Sequence, residues 1–137
     1  MTDDEIIRLL AEWNGSFDEA ASKITPMKEF RKTYLPIPRS EVLPSMRTGK
    51  FVFHGHDRVG RPVVYYRVKL HQPKNFTPEQ TLRHVIYEYE YLLAHGGATV
   101  TDEICVVIDR SDAKTSNMDI EFLKLFYKIV KDNYPAR

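Results

Sequence analysis

The stretch Ile104-Cys105-Val106-Val107-Ile108 constrains the fold of this chain more than any other. Five consecutive apolar residues leave a strand no polar face, so the pattern predicts burial on both sides, the habit of parallel sheets. A strand so buried also needs a hydrogen-bonded neighbour along each edge. The last helix, capped by Ser116 or Asn117 and running to about Asn133, makes a similar demand. At about 100° per residue, Glu121, Lys124, Lys128, Lys131 and Asp132 crowd into an arc about 100° wide. Roughly 220° is left to Ile120, Phe122, Leu123, Leu125, Phe126, Tyr127, Ile129 and Val130, about twice what a surface helix needs. The sequence ends at Arg137, directly after Tyr134-Pro135. The chain therefore reads as the front half of a sheet domain, with a homodimer or a missing C-terminal segment expected to supply the cover.

Upstream, the pattern divides into a small helical segment over 1–45 and an α/β domain over 46–137. Thr2 with Glu5, and Ser16 with Glu19, are capping boxes for helices from Asp3 to about Trp13 and from Phe17 to about Thr25. Pro26 is expected to kink or restart the second, which Met27, Phe30 and Tyr34 then continue. Pro36, Pro38 and Pro44 predict a rigid connector without regular structure over 35–44. Strands are expected over Lys50 to Gly55 and Arg61 to Leu70, joined by a tight turn at His56-Asp57-Arg58-Val59-Gly60 in which Gly60 takes a positive φ. Thr77, Pro78 and Gln80 open a helix to about His95 with Leu82, Val85, Ile86, Tyr89 and Leu93 on its apolar face. The order β-β-α-β-α implies a mixed sheet flanked by helices.

Composition narrows the function. Of 137 residues, 20 are basic and 19 acidic, so the large basic footprint of a duplex nucleic-acid binder is absent. The N-terminus is acidic where a secretory signal is basic, no apolar run approaches the roughly 18 residues of a membrane span, and Cys105 stands alone. A cytoplasmic domain without disulfides is the expectation. No metal site is expected either: His54 and His56 alternate on a strand end, but His71, His84 and His95 show no ligand spacing. Asp109, ending the apolar strand, is the one position where an α/β enzyme would place an acidic group. No nucleophile elbow or phosphate loop accompanies it, so catalysis is a distant alternative. Arg47, Lys50, Arg67 and Lys69 read as a solvated strand face or a phosphate contact.

Several motifs together resemble one family. Gly55-His56-Asp57-Arg58-Val59-Gly60-Arg61-Pro62-Val63 is similar to the G-x-D-x-x-G-R-P-V hairpin of CRAL-TRIO lipid-binding domains, the phosphatidylinositol- and tocopherol-transfer type. Val85-Ile86-Tyr87-Glu88-Tyr89-Glu90 resembles that family's aromatic-acidic helix, and Val106-Val107-Ile108-Asp109 its apolar strand ending in Asp. Asn133-Tyr134-Pro135-Ala136-Arg137 resembles its YPER helix end, with Ala136 in place of the glutamate. The family continues for some 80–100 residues past these motifs, which include its mobile gate helix.

The resemblance implies a non-enzymatic module that binds or transfers a phosphoinositide or other hydrophobic lipid, touching membranes transiently from the cytoplasm. It implies no cofactor beyond the bound lipid. The apolar residues expected to form its cavity are Val64, Tyr66 and Val107 on the sheet, with Val52 and Val68 beside them. Tyr89, Leu93, Phe122 and Phe126 would form the helical walls. Ser111, with Thr115 and Ser116, is the polar candidate in the loop after the apolar strand. The alternative is a protein-interaction or membrane-contact adaptor that presents the same apolar surface to a partner.

Overall fold

The computed structural model describes residues 3–12, 16–95 and 104–134. They hold five α-helices and three strands in two compact units, one spanning Ile37–Leu125, the other combining residues before it with those from Phe126 on.

In the smaller unit α1 covers Asp3–Glu12 and α2 covers Phe17–Tyr34. Thr2 and Trp13 lie outside the described residues. Ala20 and Met27 are buried against Leu10 and Ile24, which explains their spacing of seven along one helix face. Two expectations are corrected here. Ser16 is the N-cap of α2 in extended conformation, but its side chain makes no capping hydrogen bond. Pro26 neither ends nor restarts the helix, which runs through it for 18 residues. Pro26 forfeits its own N–H bond and crowds the carbonyl one turn back, and burial of Ala20 and Met27 on the same helix offsets that cost.

The larger unit opens with α3, Arg39–Met46, where the prolines predict an irregular connector. Pro38 is its extended N-cap, at a φ of −65° that suits a helix start, and Pro44 lies inside the helix, where it removes one backbone hydrogen bond. Burial of Val42 and Ser45 holds this short helix in place. Strand β1, Phe51–His56, pairs antiparallel with β2, Pro62–Arg67. Asp57 builds the turn between them: its Oδ1 accepts from the Val59 and Arg61 N–H groups and its Oδ2 takes Arg61 Nε at 2.6 Å. Gly60 has φ 86°, as the tight turn requires, and Gly55, at φ 68°, sits in the irregularity between Phe53 and His56. A 3₁₀ turn at Val68–Leu70 takes the place of the end of the expected second strand.

Helix α4, Pro78–His95, starts on the expected capping box: Gln80 N–H donates to Thr77 Oγ1 and Thr77 N–H to Gln80 Oε1. Strand β3, Cys105–Asp109, lies parallel to β2, which makes the sheet mixed in the order β1-β2-β3. Helix α5, Ile120–Asn133, is capped by Asp119, whose Oδ1 accepts the Phe122 N–H at 3.0 Å. Neither Ser116 nor Asn117 caps it. The Asn117 amide instead donates inward to the carbonyls of His71 and Lys69.

Candidate functional site

Adjacent positions of paired strands share a sheet face, so the register sorts the candidate residues. Phe51, Phe53, Val64, Tyr66, Val106 and Ile108 lie on one face; Val52, Val63, Tyr65, Cys105 and Val107 lie on the other. The first face meets α4 and the start of α5. The Phe51 ring lies 4.8 Å from Tyr66, 5.1 Å from His84 and 6.0 Å from Phe122, and Tyr66 meets Phe122 edge-on at 6.4 Å. These rings fill the space between sheet and helices as an aromatic core.

The expected cavity residues are consequently dispersed. Val64, Tyr66, Tyr89 and Phe122 are buried. Val107 pairs beside Tyr65, on the opposite face from Val64 and Tyr66, and is exposed. Val52 falls on that opposite face as well. Leu93 is exposed near the end of α4. Ser111, Thr115 and Ser116 are exposed, with the Ser111 N–H donating to Asp109 Oδ1. Phe126 is half-buried and belongs to the other unit.

The expected two-sided burial of β3 is corrected. Val106, Val107 and Ile108 are 52%, 38% and 55% exposed, because among the described residues β2 is its one sheet neighbour and nothing covers its outer edge. On α5 the wide apolar arc splits in two. Phe122 is buried and Leu125, Phe126, Ile129 and Val130 half-buried, while Ile120, Leu123 and Tyr127, spaced i, i+3 and i+7, form an exposed stripe. Met118, just before the helix, is exposed too. The sequence signal for this stripe was the excess width of the arc; which part turned outward was not encoded locally.

The polar residues divide similarly. The Asp109 carboxyl is held below its ordinary value because Ser111 hydrogen-bonds it through side chain and backbone, with Lys69 and Arg67 adding positive charge. That carboxyl serves the loop. Lys69 is exposed and pairs with Asp112 at 3.4 Å. Lys50 is neither on a solvated face nor available to a phosphate: it is completely buried. Its Nζ sits 3.0 Å from His71 Nδ1 and 4.1 Å from the centre of the Phe76 ring, and His71 Nε2 meets Asp119 Oδ2 at 2.7 Å. Burial pulls the Lys50 amine down to about 8 against the attraction of Asp119. It also pushes the Tyr66 phenol up to about 12, with Asp119 adding to the effect. Sequence reasoning missed this buried row entirely.

Among the described residues no three His, Cys, Asp or Glu side chains converge as a metal site needs, and no helix is long and apolar enough to cross a membrane.

Comparison with known proteins places the chain. The family model described as the CRAL/TRIO domain matches residues 46–137. A relative in Schizosaccharomyces pombe, the CRAL-TRIO domain-containing protein C3H8.02, is 34% identical over 93 residues, covering 66% of this chain. The chain spans about a fifth of that relative's length, since the match covers 20% of it.

Proposed function

The chain belongs to the CRAL/TRIO domain family, whose members bind and transfer lipids, and on that premise we propose that it holds the apolar part of a lipid along the open edge of its sheet and the exposed start of its last helix, without covalent change. The observation that carries the reading is the run Val106, Val107 and Ile108, exposed in succession along the open edge of the sheet. Consecutive exposed apolar side chains on a β-rich edge invite cover, and acyl chains supply it at about 0.8 kcal/mol per buried methylene. Ile120 and Leu123 extend apolar surface within the same unit. The lipid class is a phosphoinositide or a comparably hydrophobic lipid, with the exposed hydroxyls of Thr115 and Ser116 available to a headgroup beside Ser111, whose hydroxyl is engaged with Asp109. The protein would then work in the cytoplasm and meet membranes transiently. A second reading rests on the same edge: among the described residues the outer edge of β3 has no strand beside it, and another chain could pair there, as an adaptor or homodimer would.

Native mass spectrometry of the purified chain separates the two. Co-purified lipid that is lost in Ile108→Asp or Leu123→Asp, both at exposed positions, supports lipid binding. Equal lipid in variants and wild type refutes the surface assignment, and a lipid-free dimer favours the second reading.

A further inference from the structure

Three buried polar side chains join three separate elements of the larger unit, and their chemistry leaves little freedom over where protons sit. Asp119, at the N-cap of α5, presents a carboxylate that only accepts, so His71 Nε2 at 2.7 Å carries the hydrogen. His71 Nδ1 is then the lone-pair side, and it accepts from Lys50 Nζ, which as an ammonium only donates, at 3.0 Å. The arrangement is ammonium, neutral imidazole and carboxylate. Its formal charge is zero, which suits a site where Lys50 and His71 have no exposed surface.

We propose that Lys50, His71 and Asp119 form a proton-sensitive clasp between the start of β1, the loop after β2 and the N-terminus of α5, closed with a neutral His71 and opened by a second proton. On the imidazole that proton goes to Nδ1, where it would face the Lys50 ammonium across 3.0 Å. Burial already holds the imidazole below its ordinary value; its hydrogen bond to Asp119 opposes that, and the Lys50 charge adds to it. The titratable groups packed around the clasp lie on β2, on α4 and in the loop past β2. On β2 the Tyr66 phenol stays protonated far above neutral pH. On α4 His84 Nδ1 is bound to Ser45 Oγ, with Glu88 3.6 Å from its Nε2. Past β2 Lys69 pairs with Asp112, and Phe76 and Phe122 present rings to Lys50 and His71. Opening separates two backbone anchors as well, because Arg67 N–H donates to the Lys50 carbonyl and the Asn117 amide to that of His71.

The inference is independent of the lipid reading. Side-chain nitrogen NMR of the whole chain tests it. Wild type is expected to show His71 as the Nε2–H tautomer, titrating below the free imidazole value of about 6.5. Lys50→Met, which keeps an apolar stem of similar length, raises that titration point by removing the neighbouring cation. Amide exchange of Arg67, corrected for intrinsic rate, is expected to lose protection about tenfold per pH unit below roughly 6.5 in wild type, since one proton binds only the open form. The variant, with His71 still buried but without the neighbouring cation, is expected to show that loss over a narrower pH range. An Nδ1–H tautomer, or a wild-type His71 titrating at or above the free value, overturns the clasp, and both are read in wild type whether or not the variant folds. An unchanged His71 titration in a folded Lys50→Met protein overturns it too.

Discussion

Stability at alkaline pH reads the state of Lys50 directly. In the unfolded chain its amine titrates near 10.5; in the fold, burial holds it at about 8. Between those limits the unfolded chain binds a proton that the folded chain has released, so unfolding becomes less favourable as pH rises. Below about pH 8 the full cost of the buried ammonium is present, and above about 10.5 it has gone. At roughly 1.4 kcal/mol per pH unit, the interval is worth about 3 kcal/mol. Tyr66 acts in the opposite sense from about pH 10, because its folded phenol keeps a proton that the unfolded one loses. The contribution of Tyr66 is common to wild type and Lys50→Met and cancels in their difference. Urea unfolding of both proteins at pH 7.5, 8.5, 9.5 and 10.5 isolates the amine. Wild type should gain roughly 3 kcal/mol on the variant across that range, with unchanged urea slopes. A difference that stays flat refutes the burial of a charged Lys50.

Gly60→Val forces a β-branched side chain to φ 86° and should cost more than about 1 kcal/mol, read as a lowered melting temperature. Phe122→Ala removes a ring that is 2% exposed and should cost about 3–5 kcal/mol in urea unfolding, whereas Ile120→Ala, at 59% exposure, should stay within about 0.5 kcal/mol. Asp57→Ala strips the β1–β2 turn of three hydrogen bonds and should lower the melting temperature at neutral pH, while the wild-type advantage shrinks as acid protonates a carboxyl. Burial raises that carboxyl, but Arg61 and Val59 outweigh it and hold it below 3.8, so the advantage is lost only as pH falls through this depressed range.

What could be read from the sequence was local. The Thr77–Gln80 capping box, the glycine in the turn and the apolar run from Ile104 to Ile108 each carry their signal within a few positions, and the structure puts a helix, a hairpin and a strand there. The misreadings involve partners far away in the chain. Nothing near Pro38 and Pro44 signals that Val42 and Ser45 will be buried, and with them a helix formed. Lys50 looks like any strand lysine until His71, 21 positions on, and Asp119, 48 beyond that, are folded around it.

The candidate site shows the same limit more sharply, because in a strand a single position decides the face. Alternation along β2 correctly groups Val64 with Tyr66, but alternation along β3 cannot say which of its residues joins them. The pairing of Tyr65 with Val107 answers that, and sends Val107 to the other side of the sheet. Likewise the apolar arc of α5 is wide enough to imply two contacts, yet its sequence does not say which half Tyr66 will meet. Phe122 takes that place, so within the larger unit the apolar residues of α5 left exposed are Ile120 and Leu123. On the proposed reading a lipid would use the apolar residues left over once the chain has packed its own core, and a charge placed at Ile108 or Leu123 tests that binding without entering the core.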